Sequence, residues 1–243
     1  IRWLLLSAAL GGLAMLTKPS ALFLVPFCGL VLLVYAIRNT LGDRRLSTSH
    51  LAPNASRFTF YVLRSLFTWL IVAAIVYFAL WPAMWVDPVW ALKAVIEGGL
   101  IRHATTAHDS PTFFLGQITY EDPGPAFYAV SLLFRTGEVT LLFSMAAALL
   151  GAIHLPRRRR LSQAGIDHLL LLSYAVLFLA QMSLGAKKIP RYTLPAILAL
   201  GLLAAAGIVA WARRLAGGRR RLTLALTALP LLLQAALTLP HHP

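Results

Sequence analysis

The chain has 243 residues, of which 59% are hydrophobic and 12% charged, with a mean hydropathy of +0.75 and a net charge of +14. A soluble domain of this size has too little interior to hide that much apolar surface, and a single cysteine, Cys28, excludes a disulfide framework. The basic excess would point to nucleic acid in a soluble protein, but here it is gathered between apolar runs, which is the positive-inside pattern of a membrane protein, so no nucleic-acid partner is expected.

The first residues, "IRWLLLSAALGG", carry neither a Met nor the charged start of a signal peptide. They read as the beginning of the C-terminal part of a longer protein. Apolar runs long enough to approach the roughly 20 residues of a spanning helix occur at 3–16, 21–37, 63–81, 139–155, 169–184, 194–211 and 222–239. The first two are separated only by "TKPS". Joined as one helix they would be about 50 Å long, too long for one crossing, and Pro19 breaks the run or opens the next helix. About seven spans are therefore predicted. Pro195 and Pro230 fall within later spans and predict a kink or a helix end.

Three loops carry arginines in clusters: residues 38–64, 156–165 and 213–221. If every run crosses once, these loops share one side, which the positive-inside rule makes cytoplasmic. Fifteen of the 22 basic residues then lie inside. The seven others are Lys18, Lys93, Arg102, Arg135, Lys187, Lys188 and Arg191, together with six of the eight acids. This leaves one long outer loop, residues 82–138. In it, "PVWALKAVIEGGLIRH" mixes Trp90, Val95, Leu100 and Ile101 with Lys93, Glu97 and Arg102, as a helix on a membrane surface would. "HDSPTFFLGQ" and "YEDPGPAFY" are dense in turn formers and aromatics. Pro125 is expected to start a helix in which Arg135 and Glu138 pair. The predicted fold is an all-α polytopic transmembrane bundle whose outer loop contains an interfacial helix.

Chemistry-bearing residues collect on the outer side: Lys18, His103, His108, Asp109, Glu121, Asp122, Lys187, Lys188 and Arg191. A phosphate is bound by cations and backbone donors, so lysines at span ends suit an anionic lipid headgroup whose tail lies between helices. The competing reading is that these side chains only reach for water or bilayer phosphates. Against it, "KKIPR" crowds three cations on the side where the charge rule disfavours them. His103 and His108 are five apart, which fits no standard helical ligand pair, so no metal or cofactor is assigned. The acids of "DP" and "DPGP" are as well suited to turns as to catalysis. Phe113, Phe114, Tyr120, Phe127 and Tyr128 would serve either to stack on a sugar or as an interfacial aromatic belt.

"GLAMLTKPSALFLVP" resembles the helix–TK–Pro/Gly–helix segment of membrane glycosyltransferases that use polyprenyl-phosphate sugars, the GT-C superfamily of protein mannosyltransferase-like, family 39 and aminoarabinose-transferase-like enzymes. "KKIPRYTLPAILALGLLAA" is similar to their late outer turn. "WPAMWVDP", "FFLGQ" and "DPGPAFY" are similar to outer-loop segments of bacterial family-39-like members. The resemblance covers nearly the whole chain and reads it as the C-terminal part, 1–243, of one transmembrane glycosyltransferase domain. It implies transfer of a sugar from a polyprenyl-phosphate donor to a protein, lipid or glycan acceptor at the outer face of a bacterial plasma membrane. It assigns the lipid phosphate to Lys18, Lys187, Lys188 and Arg191, with Tyr192 beside them. It leaves sugar or acceptor contacts to His103, His108, Asp109, Glu121 and Asp122, and expects the acidic base upstream of residue 1. A lipid or ion transporter and a membrane scaffold are the alternatives. The near absence of ionisable groups at span centres speaks against the transporter, and a scaffold does not explain "KKIPR".

Overall fold

The computed structural model describes residues 1–42, 51–106, 110–154 and 163–238. It forms two compact units, Ile1–His103 and Ala104–Pro243. Both are built almost wholly of helices, and the chain is an all-α, multi-pass membrane bundle.

In the first unit, α1 (Arg2–Thr17) ends at Lys18, whose backbone is extended at φ −161°, ψ 132°. A residue before proline is driven out of the helical region by the ring that follows, so Pro19 dictates the break. Pro19 then opens a 3-10 turn, Pro19–Phe23, that runs into α2 (Leu24–Gly42). α3 (Leu51–Leu80) packs against both α1 and α2. The α1–α3 crossing is close because α1 presents glycines there. A Cβ on Gly11 would stand 2.5 Å from the Trp69 ring, and one on Gly12 2.5 Å from the Ala73 carbonyl oxygen. Small residues that let backbones approach are what holds helices together where lipid offers no hydrophobic gain. Ala8, Trp69 and Ala73 form the buried centre of this contact.

After α3 the chain makes the short helix α4 (Ala83–Val86) and then α5 (Pro88–Ala94). Asp87 caps α5 by accepting the Trp90 amide at 2.9 Å, with Pro88 in the first turn. The helix continues as a π stretch, Val95–Ile101, and a last turn, α6 (Arg102–Thr105). The stretch read as a surface helix is therefore helical, in three pieces. Trp90, Leu92, Ile96 and Ile101 are exposed along it. Gly99 in the π stretch lies under Pro19, whose Cγ would be 2.7 Å from an added Cβ.

The second unit contains a hairpin that the sequence reading left as turns: β1 (Thr112–Phe114) antiparallel to β2 (Gln117–Thr119), with Phe114 opposite Gln117. Its two-residue turn, Leu115–Gly116, has φ of 49° and 85°, which matches the right-handed twist of the strands. α7 (Phe127–Arg135) follows and stops, and α8 (Glu138–His154) leaves at 115° to it. Arg135 and Glu138 thus lie on different helices, contrary to the expected pairing within one. α9 (Gln163–Leu184), a 3-10 turn (Pro190–Thr193), α10 (Leu194–Ala216) and α11 (Arg220–Thr238) complete the unit.

α10 is the centre of this unit, packed by α8, α9 and α11. Its buried residues Ala196, Ala199, Leu200, Leu203, Ala204, Ile208, Ala212 and Ala216 recur at helical spacing. It ends at Gly217, in the left-handed region at φ 55°. Pro195 sits in the first turn of α10 and Pro230 inside α11, so only the second interrupts a helix. Gln234 of α11 reaches α8 and accepts the Val139 amide at 3.1 Å. A Cβ on Gly137 would collide with that Gln234 side chain.

All seven apolar runs form helices. Among the described residues, five helices are long and apolar enough to cross a membrane, and α7 with α8 makes a sixth if the bent pair is one crossing. α1, with 16 residues, spans about 24 Å and is shorter than a hydrocarbon core of roughly 30 Å. Large apolar side chains such as Trp3, Phe60, Ile75, Leu198 and Leu232 remain exposed on the helices, as expected where lipid is the solvent.

Candidate functional site

The turn between α9 and α10 is built from its own backbone outwards. α9 ends at Leu184, and the Ala186 amide leaves the helix to bond the Ala104 carbonyl at 3.0 Å. Ile189 is extended, φ −132°, ψ 122°, because Pro190 follows it. Pro190 opens the 3-10 turn, in which the Thr193 hydroxyl donates to the Pro190 carbonyl at 2.8 Å and the Tyr192 amide to that of Ile189 at 3.0 Å.

Two side chains fix this turn. Lys188 folds back onto the end of α9 and donates to the carbonyls of Ser183 (2.6 Å) and Gly185. These are carbonyls a helix end leaves without partners, and a cation there also suits the negative end of the helix dipole. Tyr128, from the first turn of α7, accepts the Ile189 amide at 3.2 Å and donates to the Lys187 carbonyl at 3.5 Å. Tyr128 belongs to a buried aromatic group with Phe127 and Tyr192, with Phe114 of the hairpin packed on Phe127 at 5.3 Å between ring centroids. Burial pushes the Tyr128 phenol up to about 12, opposed by the Ile189 amide and reinforced by Tyr192 and Asp122. The hydroxyl therefore stays protonated and keeps both hydrogen bonds.

Electrostatically the site is layered. The Lys188 side chain is 1% exposed, and its Nζ lies 3.8 Å from Oδ1 of Asp122, whose side chain is 41% exposed. It also lies 5.7 Å from the Tyr128 ring centroid. Asp122 is held by the Gly124 amide, which donates to its Oδ1 at 2.9 Å, so the "DPGP" acid is a turn former as well as an ion-pair partner. Lys187 is half-buried, Arg191 is exposed and Tyr192 is buried. Arg191 and Asp122 are thus open to solvent or lipid, Lys187 partly so, and Lys188 is not.

The fold thus joins Lys188 to Asp122, two candidates 66 positions apart in the chain that had been placed in separate roles. Lys18 and His103 are found in the other unit. Lys18 is half-buried, its amide bonded to the Ala14 carbonyl and its own carbonyl accepting the Ala21 amide. His103 is half-buried with Nδ1 3.2 Å from the Gly98 carbonyl oxygen, in the π stretch that meets Pro19. Glu121 is exposed, and its amide bonds the Thr119 hydroxyl. His108 and Asp109 lie outside the described residues. Among the described residues no group of three or more His, Cys, Asp or Glu could hold a metal ion.

The stacking role weighed for the aromatics divides. Phe127 and Tyr128 are fully buried and carry structure, whereas Phe113 and Tyr120 are 70% and 68% exposed. Tyr128 as the pin of the cationic turn was missed by sequence reasoning; "PAFY" signals an aromatic at a helix start but not its target. Comparison of the chain with family models, with curated proteins and with solved structures found no match, so the resemblance noted above stands on its own motifs.

Proposed function

We propose that the chain is part of a membrane glycosyltransferase that takes its sugar from a polyprenyl phosphate at the outer face of a bacterial plasma membrane. The observation that carries this reading is the 187–191 turn. Three cations stand within five residues at the junction of two apolar helices, and one of them is buried under a carboxylate. A lipid phosphate whose chain lies between helices would present its charge at that level.

In the reaction so proposed, the bond between the sugar's anomeric carbon and the phosphate oxygen breaks, and its electron pair leaves with the phosphate. The acceptor oxygen forms the new bond on the opposite face and gives up its proton to a base. Charge grows on the leaving phosphate, so cations beside it favour the transition state over the ground state. Arg191, exposed, and Lys187, half-buried, are the proposed phosphate contacts of the late turn, and Lys18 is a proposed contact on the resemblance of its own segment alone. The acceptor is a protein, lipid or glycan hydroxyl. The near absence of charge along the span centres remains the argument against a transporter.

The test compares transfer from a polyprenyl-phosphate sugar in membranes carrying Arg191→Met, Lys187→Met or Lys18→Met with Arg219→Met as the control. Loss of a phosphate contact is expected to slow transfer roughly tenfold to a hundredfold. Equal rates in all four variants would reduce the outer cations to lipid-facing charges and end the phosphate-site reading.

A further inference from the structure

Lys188 is a buried cation with one charged neighbour, Asp122, among the described residues. Two of its three N–H groups are spent on the Ser183 and Gly185 carbonyls. At 3.8 Å, Asp122 forms an ion pair with it but not a hydrogen bond. Among the described residues, the third N–H therefore closes no bond. A buried ammonium requires a counter-charge, and Asp122 supplies it from a side chain that is itself 41% exposed. Asp122 thus stands between the cation and the outside.

The carboxylate is lightly held. Oδ1 accepts one backbone hydrogen bond, from Gly124 at 2.9 Å. That bond lies within its own turn, so the turn can shift as a piece. Gly124 has φ of 90°, and Glu121, Asp122 and Pro125 are exposed. Lys188 is held far more firmly by its two carbonyls, so in any competition for the ammonium it is Asp122 that yields.

Building on the phosphate-site reading above, we propose that Asp122 is a resident counter-ion which a phosphomonoester oxygen displaces, so that Lys188 exchanges a 3.8 Å ion pair for a hydrogen-bonded one. A phosphomonoester, the form in which the polyprenyl phosphate is left once the sugar has gone, carries up to two negative charges against the carboxylate's one, and can approach within bonding distance. The resting carboxylate offsets the charge of Lys188 and raises the threshold for weaker anions. Removing its charge removes the competitor and the repulsion, so an Asp122→Asn chain binds phosphate more tightly, not less.

The experiment uses the chain reconstituted in phosphatidylcholine nanodiscs, with farnesyl phosphate, inorganic phosphate and farnesol as probes. Farnesyl phosphate is expected to bind wild type better than farnesol, and Asp122→Asn about tenfold better than wild type, equivalent to about 1.4 kcal/mol. Inorganic phosphate gaining equally would assign the site to the free ion; no gain for it assigns the site to the lipid ester. Asp122→Asn combined with Lys188→Met should lose the gain. A second readout follows movement: in a Cys28→Ser background, Glu121→Cys should be alkylated faster when farnesyl phosphate is present. If Asp122→Asn binds no better while Arg191→Met weakens binding, Asp122 is a strut and the displacement fails, though the phosphate site stands. An unchanged alkylation rate also overturns displacement. If farnesyl phosphate binds wild type no better than farnesol, the phosphate-site reading itself fails.

Discussion

The two lysine–proline turns of this chain share one backbone device and use it differently. In each, an apolar helix ends, one extended residue precedes a proline, and that proline opens a 3-10 turn leading into a long apolar helix: Lys18–Pro19 before α2, and Ile189–Pro190 before α10. In the first turn the cation is itself the extended residue and remains half-buried, with Pro19 seated on Gly99. In the second, an isoleucine takes the extended position. The cation one place earlier is thereby free to fold back onto the helix it follows, beneath Tyr128 and Asp122. The proline fixes each turn, and the contacts that lie beside it, Tyr128 and Asp122 in the second, accompany the burial of the lysine there.

The charge division along the chain predicts that each turn faces outward, and the largest effect would come from breaking that prediction. In a Cys28→Ser background, an impermeant thiol reagent applied to whole cells should label Ser110→Cys and leave Ser162→Cys untouched, in line with the fifteen-to-seven division of basic residues. The reverse pattern would put the lysine turns in the cytoplasm and end the proposal of an outer phosphate site.

A smaller effect sharpens what sets the second turn apart. Tyr128→Phe leaves the half-buried Ile189 amide without its acceptor, and should lower the unfolding free energy by about 0.5–1.5 kcal/mol, read from thermal unfolding in detergent. Because the phenol is raised to about 12 from an ordinary 10.0, its neutral form is favoured by folding. Its contribution is complete below about pH 10 and is lost as pH rises through about 12. Tyr128→Phe should therefore abolish whatever loss of stability wild type shows specifically in that alkaline window.

The smallest effect separates the turns directly. Pro19→Ala and Pro190→Ala each give back backbone freedom worth about 0.4–1 kcal/mol. The Pro190 turn keeps Tyr128 and Lys188 as independent fixings, while Pro19 also loses its contact with Gly99. Pro19→Ala should thus cost more than Pro190→Ala in the same unfolding measurement. The opposite order would show that the aromatic pin contributes little.

What could be read from sequence followed the range of the interactions. The seven helices announce themselves through apolar runs, and the breaks at Pro19 and Pro190 through the local clash of a proline with its predecessor. Asp87 at the head of α5 is equally local. The hairpin was hidden because its turn puts Leu115, and not the usual Asn or Gly, at positive φ. The elbow between α7 and α8 was hidden because "FRTGEV" contains no proline. The burial of Lys188 was out of reach for a different reason: it depends on Tyr128, 60 positions earlier, and on Asp122.

The reach of Gln234 across to α8 has a consequence for the order of assembly. The Val139 amide, in the first turn of α8, takes its acceptor from a residue 95 positions later. As a chain enters a membrane from its N-terminus, α8 arrives well before α11, and through that interval this amide has no intramolecular acceptor to match. An exposed donor of that kind is costly in hydrocarbon, so the start of α8 has reason to stay at the water boundary until the last helix is in place. Gly137 leaves the room that the arriving Gln234 side chain needs.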